Sequence, residues 1–326
     1  MGKLAVVAVG GNSLILDERH RSVPDQYAAA VETSKHVVDM IALGWQVVLT
    51  HGNGPQVGFI LRRSELSRHE LHDVPLDSCG ADTQGAIGYM FQKALRNEVS
   101  RRMQAGEWHH PLLSPVTIVT QTLVDADDPA FANPSKPIGS FLDQATARTR
   151  AETEGWHVIE DAGRGWRRVV PSPRPREIIE RDAIVALVRD GFLVICAGGG
   201  GIPVIRAETR HGTSLQGVEA VIDKDLAAAV LAASLEADLF VISTAVEKVA
   251  INYRQPDQRW LDRMTAEEAR LFWRQGHFLK GSMAPKIEAV LDYLAHRPGG
   301  QAVITDPPNI TRALLGETGT WIANQV

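Results

Sequence analysis

Cysteine is scarce in this chain. There are two in 326 residues, Cys79 and Cys196, and they lie too far apart to make a metal-ligand spacing. Cys196 sits in an apolar run and reads as a small buried hydrophobe, and the low count is compatible with a reducing compartment. Long apolar runs are absent too: none approaches the ~20 residues needed to cross a bilayer. Nor is there an excess of positive charge. Lysine and arginine number 34 against 39 aspartates and glutamates, and a net charge of -5 gives no sign of a nucleic-acid partner. Met1-Gly2-Lys3 runs into an apolar stretch without the features of a secretory signal. Position six is Val, where a myristoylation pattern needs Ser or Thr. The expectation is a soluble cytoplasmic protein with neither nucleic-acid nor membrane partners.

Several motifs are missing as well. The chain has no G-x-x-x-x-G-K-[ST] phosphate loop, no G-x-G-x-x-G followed by an acidic ribose ligand, and no G-x-S-x-G elbow for a serine hydrolase. No internal period of the solenoid kind is visible. The apolar fraction of 44% and charged fraction of 22% are those of an ordinary globular protein.

What is present is a repeated device in which an apolar strand stops at glycines. Leu4 to Val9 runs into Gly10-Gly11-Asn12-Ser13, and Val47 to Thr50 into His51-Gly52-Asn53-Gly54-Pro55. Val194 to Ala197 runs into Gly198, Gly199, Gly200 and Gly201. Residues without Cβ allow tight turns and present bare N–H groups. Three such strand ends point to one crevice at the carboxyl edge of a sheet, where open α/β proteins bind ligands. A chain of phosphates is the ligand that this crevice suggests.

The rest of the chain alternates. Helices are expected over residues 25–41, after the loop at 51–58 as far as about 68, and over 82–103, 178–189, 226–235 and 283–293. Strands are expected over 45–50, 116–123, 192–197, 238–244 (continued to 250), 301–305 and 319–323. This βαβα order predicts a parallel sheet with right-handed crossovers. Asp82 is a candidate cap for the long helix, whose Gly85 and Gly88 suggest close packing on one face. Thr265 and Glu268 form a capping box, and Pro285 suits a first helical turn. Between residues 125 and 175 turn formers and prolines dominate, and the basic turn at 163–168 suggests a hairpin. The segment reads as a small subdomain inserted between strands and placed like a lid.

Charge for a phosphate site would come from lysines. Lys136 lies in a proline-framed loop, Lys224 between Asp223 and Asp225, and Lys286 beside the Gly281-Ser282-Met283 turn. Taken singly, each fits a solvated surface lysine better than a ligand, and only the Asp–Lys–Asp triplet around Lys224 argues the other way. Asp225 could hold lysines in register, and Asp223 could bind a metal. Phosphoryl transfer asks for such parts: N–H groups, cations for the equatorial charge, and Mg²⁺ across the phosphates. His51 fits either a site residue or a loop histidine bonded to its own backbone.

The motifs together resemble carbamate kinases of the amino acid kinase superfamily. The matching stretches are Ala8-Val-Gly-Gly-Asn-Ser13, Thr50-His-Gly-Asn-Gly-Pro-Gln-Val-Gly58, Gln84-Gly-Ala-Ile-Gly-Tyr-Met90 and Pro134-Ser-Lys-Pro-Ile-Gly139. Gly165-Trp-Arg-Arg-Val-Val-Pro-Ser-Pro173, residues 196–203, Val221-Ile-Asp-Lys-Asp225 and Gly281-Ser-Met-Ala-Pro-Lys286 continue the series. The resemblance implies an α/β fold: a three-layer αβα sandwich with an open, mainly parallel central sheet. The lobe of about 1–190 would bind carbamate or carbamoyl phosphate, and that of about 191–326 ADP or ATP with Mg²⁺. A protruding lid subdomain would span about 123–170, and the protein would be a homodimer.

By position, Gly10, Gly11, Asn12, Gly52, Asn53 and Gly54 should surround the carbamoyl and phosphoryl groups. Lys136, Lys224 and Lys286 should act on the transferring phosphoryl, with Asp225 orienting the lysines. Gly198, Gly199 and Gly200, with Ala245, Val246, Lys248 and Tyr253, should meet the nucleotide; no residue is assigned to hold a metal directly. Ala8 stands where many superfamily kinases have a lysine, so Lys136 would supply that cation. Asp82-Thr83 replaces the expected Met-Ser-like pair, and Ser135 the usual Thr.

Overall fold

The computed structural model describes every residue except 1, 11–13, 16, 18, 112, 113, 162, 211, 280 and 326. The described chain begins with β1 (Leu4–Val9), α1 (Val23–Ala42), β2 (Gln46–His51), α2 (Gly54–Ser67), α3 (Leu76–Gln104), β3 (Pro115–Thr117) and β4 (Gln121–Val124). It continues with β5 (Lys136–Leu142), α4 (Gln144–Glu154), β6 (His157–Glu160), β7 (Trp166–Val170), β8 (Pro175–Ile178), α5 (Arg181–Arg189) and β9 (Leu193–Ile195). Then come β10 (Ile202–Thr209), β11 (Gly212–Gly217), α6 (Lys224–Ser234), β12 (Leu239–Ser243), β13 (Val249–Ile251), β14 (Arg259–Leu261) and β15 (Arg263–Thr265). The last elements are α7 (Ala266–Arg274), α8 (Met283–His296), β16 (Gln301–Thr305), α9 (Ile310–Leu314) and β17 (Thr320–Ala323).

Eight strands form the main sheet in the order β15-β17-β16-β12-β1-β2-β9-β3, with only the β16–β17 pairing antiparallel. Its central strands are apolar throughout because both faces are covered, as parallel sheets require. Alternation along each strand divides the residues between two cores. Val6, Ala8, Val48, Val194, Phe240 and Ile242 pack with α5, α6, α7 and α8. Ala5, Val7, Leu49, Ile195, Val241 and Val303 pack with α1, α3 and α9. That is a three-layer αβα sandwich, as the resemblance implies, around the parallel sheet that the alternating pattern predicts.

A second sheet, β11-β10-β4-β8, begins where the first ends. The expected single strand over 116–123 is in fact two: β3 stays in the main sheet and β4 enters the second. Strand β9 does the same through the glycine run, and β10 then pairs in parallel with β4. Two neighbouring strands therefore change sheets together. The turn needs left-handed backbone at Ala197 (φ 50), Gly199 (φ 68), Gly200 (φ 95) and Gly201 (φ 85). Thr120 and Gln84 knit the crossing. The Thr120 hydroxyl accepts from Ala197 N, and the Gln84 amide donates to the carbonyls of Thr120 and Gly198.

The proline-rich segment carries a separate three-stranded sheet, β5-β7-β6, with α4 against it. Arg174, just after it, pairs with Glu288 and Asp292 on α8, and so ties the returning chain to the helix that bears Lys286.

Two local readings need correction. Helix α3 starts at Leu76, six residues before the expected start, because Leu76 and Cys79 are drawn into an apolar cluster with Val57, Ile138 and Val170. Asp82 is therefore an exposed residue inside the helix and caps nothing. The strand expected to run from 238 to 250 also breaks, since residues 244–248 turn away and β13 pairs with β14. The Thr265–Glu268 capping box and the first-turn proline of α8 are present as expected.

Candidate active site

The carboxyl ends of β1, β2 and β12 lie in register: Val9 pairs with His51 on one side and Ser243 on the other. The turns that follow consequently share one edge. Gly10 N donates to Ser243 O and Gly52 N to Val9 O. Helix α2 starts three residues after His51, so its free N-terminal N–H groups face the same edge. Gly11 and Asn12 lie outside the described residues.

The glycine run belongs to this edge through close contact. A Cβ on Gly199 would stand 2.0 Å from the Asn53 amide, and one on Gly198 would stand 2.5 Å from the His51 ring. Asn53 is buried and donates to the Thr83 hydroxyl at 2.8 Å, and that hydroxyl donates to Gly80 O. Thr83 thus holds Asn53 in place while the glycines make room for it. His51 is fully buried. Its Nδ1–H donates to Gly52 O at 3.1 Å. Burial lowers its pKa to about 4 and Lys224 adds to this, against the Gly52 hydrogen bond. The ring is neutral at pH 7.

The charges gather on one buried carboxylate. Asp223 caps α6, accepting from the backbone N–H groups of Asp225 and Leu226. Asp225 follows in the first turn, where its side chain is 4% exposed. Its Oδ1 accepts from Lys224 Nζ at 2.7 Å and its Oδ2 from Lys286 Nζ at 3.2 Å. Burial alone would raise this carboxyl, but the two ammonium groups outweigh it and hold the pKa at about 2. Lys136 reaches over from the start of β5 and sits 3.0 Å from Asp223 Oδ2. The structure therefore brings Lys136, Lys224, Lys286 and Asp225 into one linked cluster, with Asp223 as the link not foreseen.

Beside the first turn of α8 opens a cleft of about 330 Å³, lined by Ala245, Val246, Lys248, Tyr253, Trp260, Phe278 and Met283 among others. All four residues expected there from the later part of the chain are in its wall. Lys248 is held by Asp262 at 2.5 Å. Gly198, Gly199 and Gly200 are not in that lining and pack against His51, Asn53 and Ile222 instead. Among the cleft residues missed in the sequence, Trp260, His277, Phe278 and Leu279 belong to no motif, and only their aromatic or apolar character could have marked them; Arg254, Thr244 and Ala250 were not marked at all.

Comparison with known proteins fits this geometry. The model of the amino acid kinase family matches residues 3–306. This chain belongs to the amino acid kinase family. Within it, the chain falls among the carbamate kinases and their close relatives. It is 46% identical to the carbamate kinase of Thermococcus kodakarensis, over 99% of this chain and all of that one. It is 47% identical to a carbamate kinase-like protein of Escherichia coli, over 99% of both chains. The carbamate kinase from Giardia lamblia bound to AMP-PNP superposes with a TM-score of 0.89 at 40% identity, covering 99% of this chain and 98% of that one. The open αβα sandwich seen here is thus the family's own fold.

In this family member the buried ion cluster also predicts an acid response. The Asp225 carboxyl lies at about 2 when folded, against an ordinary value of 3.8. Its contribution to stability is complete above pH 3.8 and disappears as pH falls through about 2. Urea midpoints measured from pH 5 to 2 should fall less steeply for Asp225→Asn than for the native chain. Equal slopes would remove Asp225 from the acid transition.

Proposed function

We propose that the protein is a carbamate kinase, which moves a phosphoryl group between carbamoyl phosphate and ADP to give ATP and carbamate. The observation that carries the proposal is the buried Asp225 carboxylate holding Lys224 and Lys286, with Lys286 Nζ 3.4 Å from the carbonyl of Ser282, a residue in the wall of the cleft of about 330 Å³. Full-length relatives named carbamate kinases support it. On this reading Gly10, Gly11, Asn12 and Gly52 to Gly54 surround the carbamoyl phosphate. Lys224 and Lys286 meet the equatorial oxygens of the moving phosphoryl, and Asp225 keeps them in register. Ala245, Val246, Lys248 and Tyr253 wall the nucleotide, with Gly198 to Gly200 shaping the crevice between the two substrates.

Mg²⁺ would come with the nucleotide, as MgADP, and would supply charge neutralisation at the phosphates. Among the described residues no cluster of three or more His, Cys, Asp or Glu gathers to hold a metal. The carboxylates nearest the lysines, Asp223 and Asp225, are both engaged by ammonium groups. Transfer is direct and in line. His51 is buried with Nδ1 committed to Gly52, and burial pushes the Cys196 thiol well above its usual range, so neither is a ready nucleophile. The three-stranded β5-β7-β6 sheet serves as the lid that brings Lys136 in. Carbamate is unstable in water, so net flow towards ATP is expected. The resemblance extends the proposal to a cytoplasmic homodimer; among the described residues no helix is long and apolar enough to cross a membrane.

The test is ATP formation from carbamoyl phosphate and MgADP, read with luciferase. Rapid ATP formation is the expected result. ADP binding without turnover would identify a nucleotide sensor. Turnover only with other acyl phosphates would identify a kinase of different acceptor, which the equal similarity to carbamate kinase-like proteins makes worth testing.

A further inference from the structure

The cleft wall contains a loop that is strained and pinned from outside. Residues 252–258 connect β13 to β14, and two non-glycine residues there, Asn252 (φ 51) and Arg254 (φ 63), adopt the left-handed conformation. Such residues persist only when their surroundings over-determine them. Within the loop, Asn252 Nδ2 donates to Asp257 at 2.6 Å, and Arg254 N donates to the Gln258 side chain at 2.8 Å. The Asn252 amide is thereby oriented with its oxygen pointing away from Asp257. That oxygen meets His277 Nδ1 at 2.6 Å. A carbonyl oxygen only accepts, so the imidazole donates from Nδ1, while its Nε2 faces the Gln275 side-chain amide at 3.1 Å. His277 comes from the segment after α7, where Phe272 fixes its ring edge-on at 5.7 Å.

We infer that His277 is a positioning residue for the nucleotide: it clasps Asn252 and so fixes the loop whose Tyr253 and Arg254 wall the cleft. Tyr253, Arg254, Trp260 and His277 all line that cleft, and Tyr253 meets Trp260 edge to face at 6.2 Å. Without the Nδ1–H the strained backbone at 252 and 254 loses its external hold, and the aromatic wall no longer waits in one place. The cost falls on nucleotide binding, because His277 has no contact with the Asp225 cluster. The inference rests on the cleft being the nucleotide site.

The test uses the full chain and measures MgADP affinity by calorimetry together with steady-state kinetics. His277→Ala should weaken ADP about ten-fold in Kd and KM, leaving kcat and the KM for carbamoyl phosphate within about two-fold. His277→Asn places a carboxamide N–H near the position of Nδ1–H, so it should bind ADP nearly as the native chain does. Asn252→Gly accepts the same backbone angle but offers no acceptor. It should match the loss in His277→Ala, and the double variant should lose no more than either alone. Unchanged ADP affinity in a folded His277→Ala overturns the clasp, as does a His277→Asn that binds no better than His277→Ala. Should His277→Ala not fold, Asn252→Gly decides by the same criterion. Absence of ATP formation by a native chain that binds ADP would end the carbamoyl phosphate reading and leave the clasp to be judged on Kd. Absence of ADP binding by the native chain would end both.

Discussion

Lys286→Met should lower kcat by about 1,000-fold, the loss typical of removing a preorganised charge from a developing anion. Methionine keeps most of the aliphatic stem on α8 and removes only the ammonium. Asp225 retains Lys224 at 2.7 Å, so the buried carboxylate is not abandoned. The stability loss should stay at about 1–3 kcal/mol, that of one charged hydrogen bond removed from a partly buried site. Lys224→Met should behave alike, and the double variant should lose far less than the product of the two, because both lysines are set by one carboxylate. Lys286→Arg is not a conservative control: a planar guanidinium cannot occupy the point where Nζ stands 3.2 Å from Oδ2. The deciding measurement is kcat at saturating carbamoyl phosphate and MgADP, with urea melts beside it. A Lys286→Met enzyme within tenfold of native turnover would make the lysine pair structural.

The contrast between what was readable and what was not follows from where each constraint originates. Strands β1, β2, β12 and β16 were legible because a strand buried on both faces needs an unbroken apolar run, and only a few residues can follow it. Helix α6 is legible from its alanine-rich periodicity, but its start is not: the expected 226 gives way to Lys224, because Asp223 caps the helix two residues earlier. The break between β3 and β4 was not. Its Val and Thr residues suit a strand on either side, and the division is imposed by β9 crossing sheets alongside. The hairpin of β10 and β11 escaped for the opposite reason. Strand β11 is exposed along its whole length and has no buried face to pattern it. The glycine run was seen, but its use was not: it reads as a phosphate cradle until the side chains of His51 and Asn53 are found where Cβ atoms would be. In the same way the lysines could be picked out one by one, whereas their convergence on a single carboxylate is a property of the fold.

Lys136→Ala should lower kcat by about 100- to 1,000-fold while ADP binding stays close to native, since Lys136 is absent from the lining of the cleft proposed for the nucleotide. The argument begins at Ala8. In this chain that position is 1% exposed, paired between Thr50 and Ile242 beneath the site, and it carries no charge. A cation for the phosphoryl must come from elsewhere, and Lys136 is offered by a different sheet. Its Nζ rests on Asp223 Oδ2 at 3.0 Å with 38% of its side chain exposed, so as a salt bridge it is worth at most about 1 kcal/mol. Asp223 already has structural work through its other oxygen, capping the helix that begins with Lys224 and Asp225. Asp223→Asn separates the two meanings of the contact. Asparagine caps as well as aspartate does, while the pairing charge is gone, so Lys136 is freed and not removed. If Lys136 acts on the phosphoryl, Asp223→Asn retains most turnover and Lys136→Ala does not. If the contact is only a latch between the inserted sheet and the start of α6, the two variants lose turnover alike. Lys136→Ala turning over at a native rate with native ADP affinity would take the inserted sheet out of the chemistry altogether.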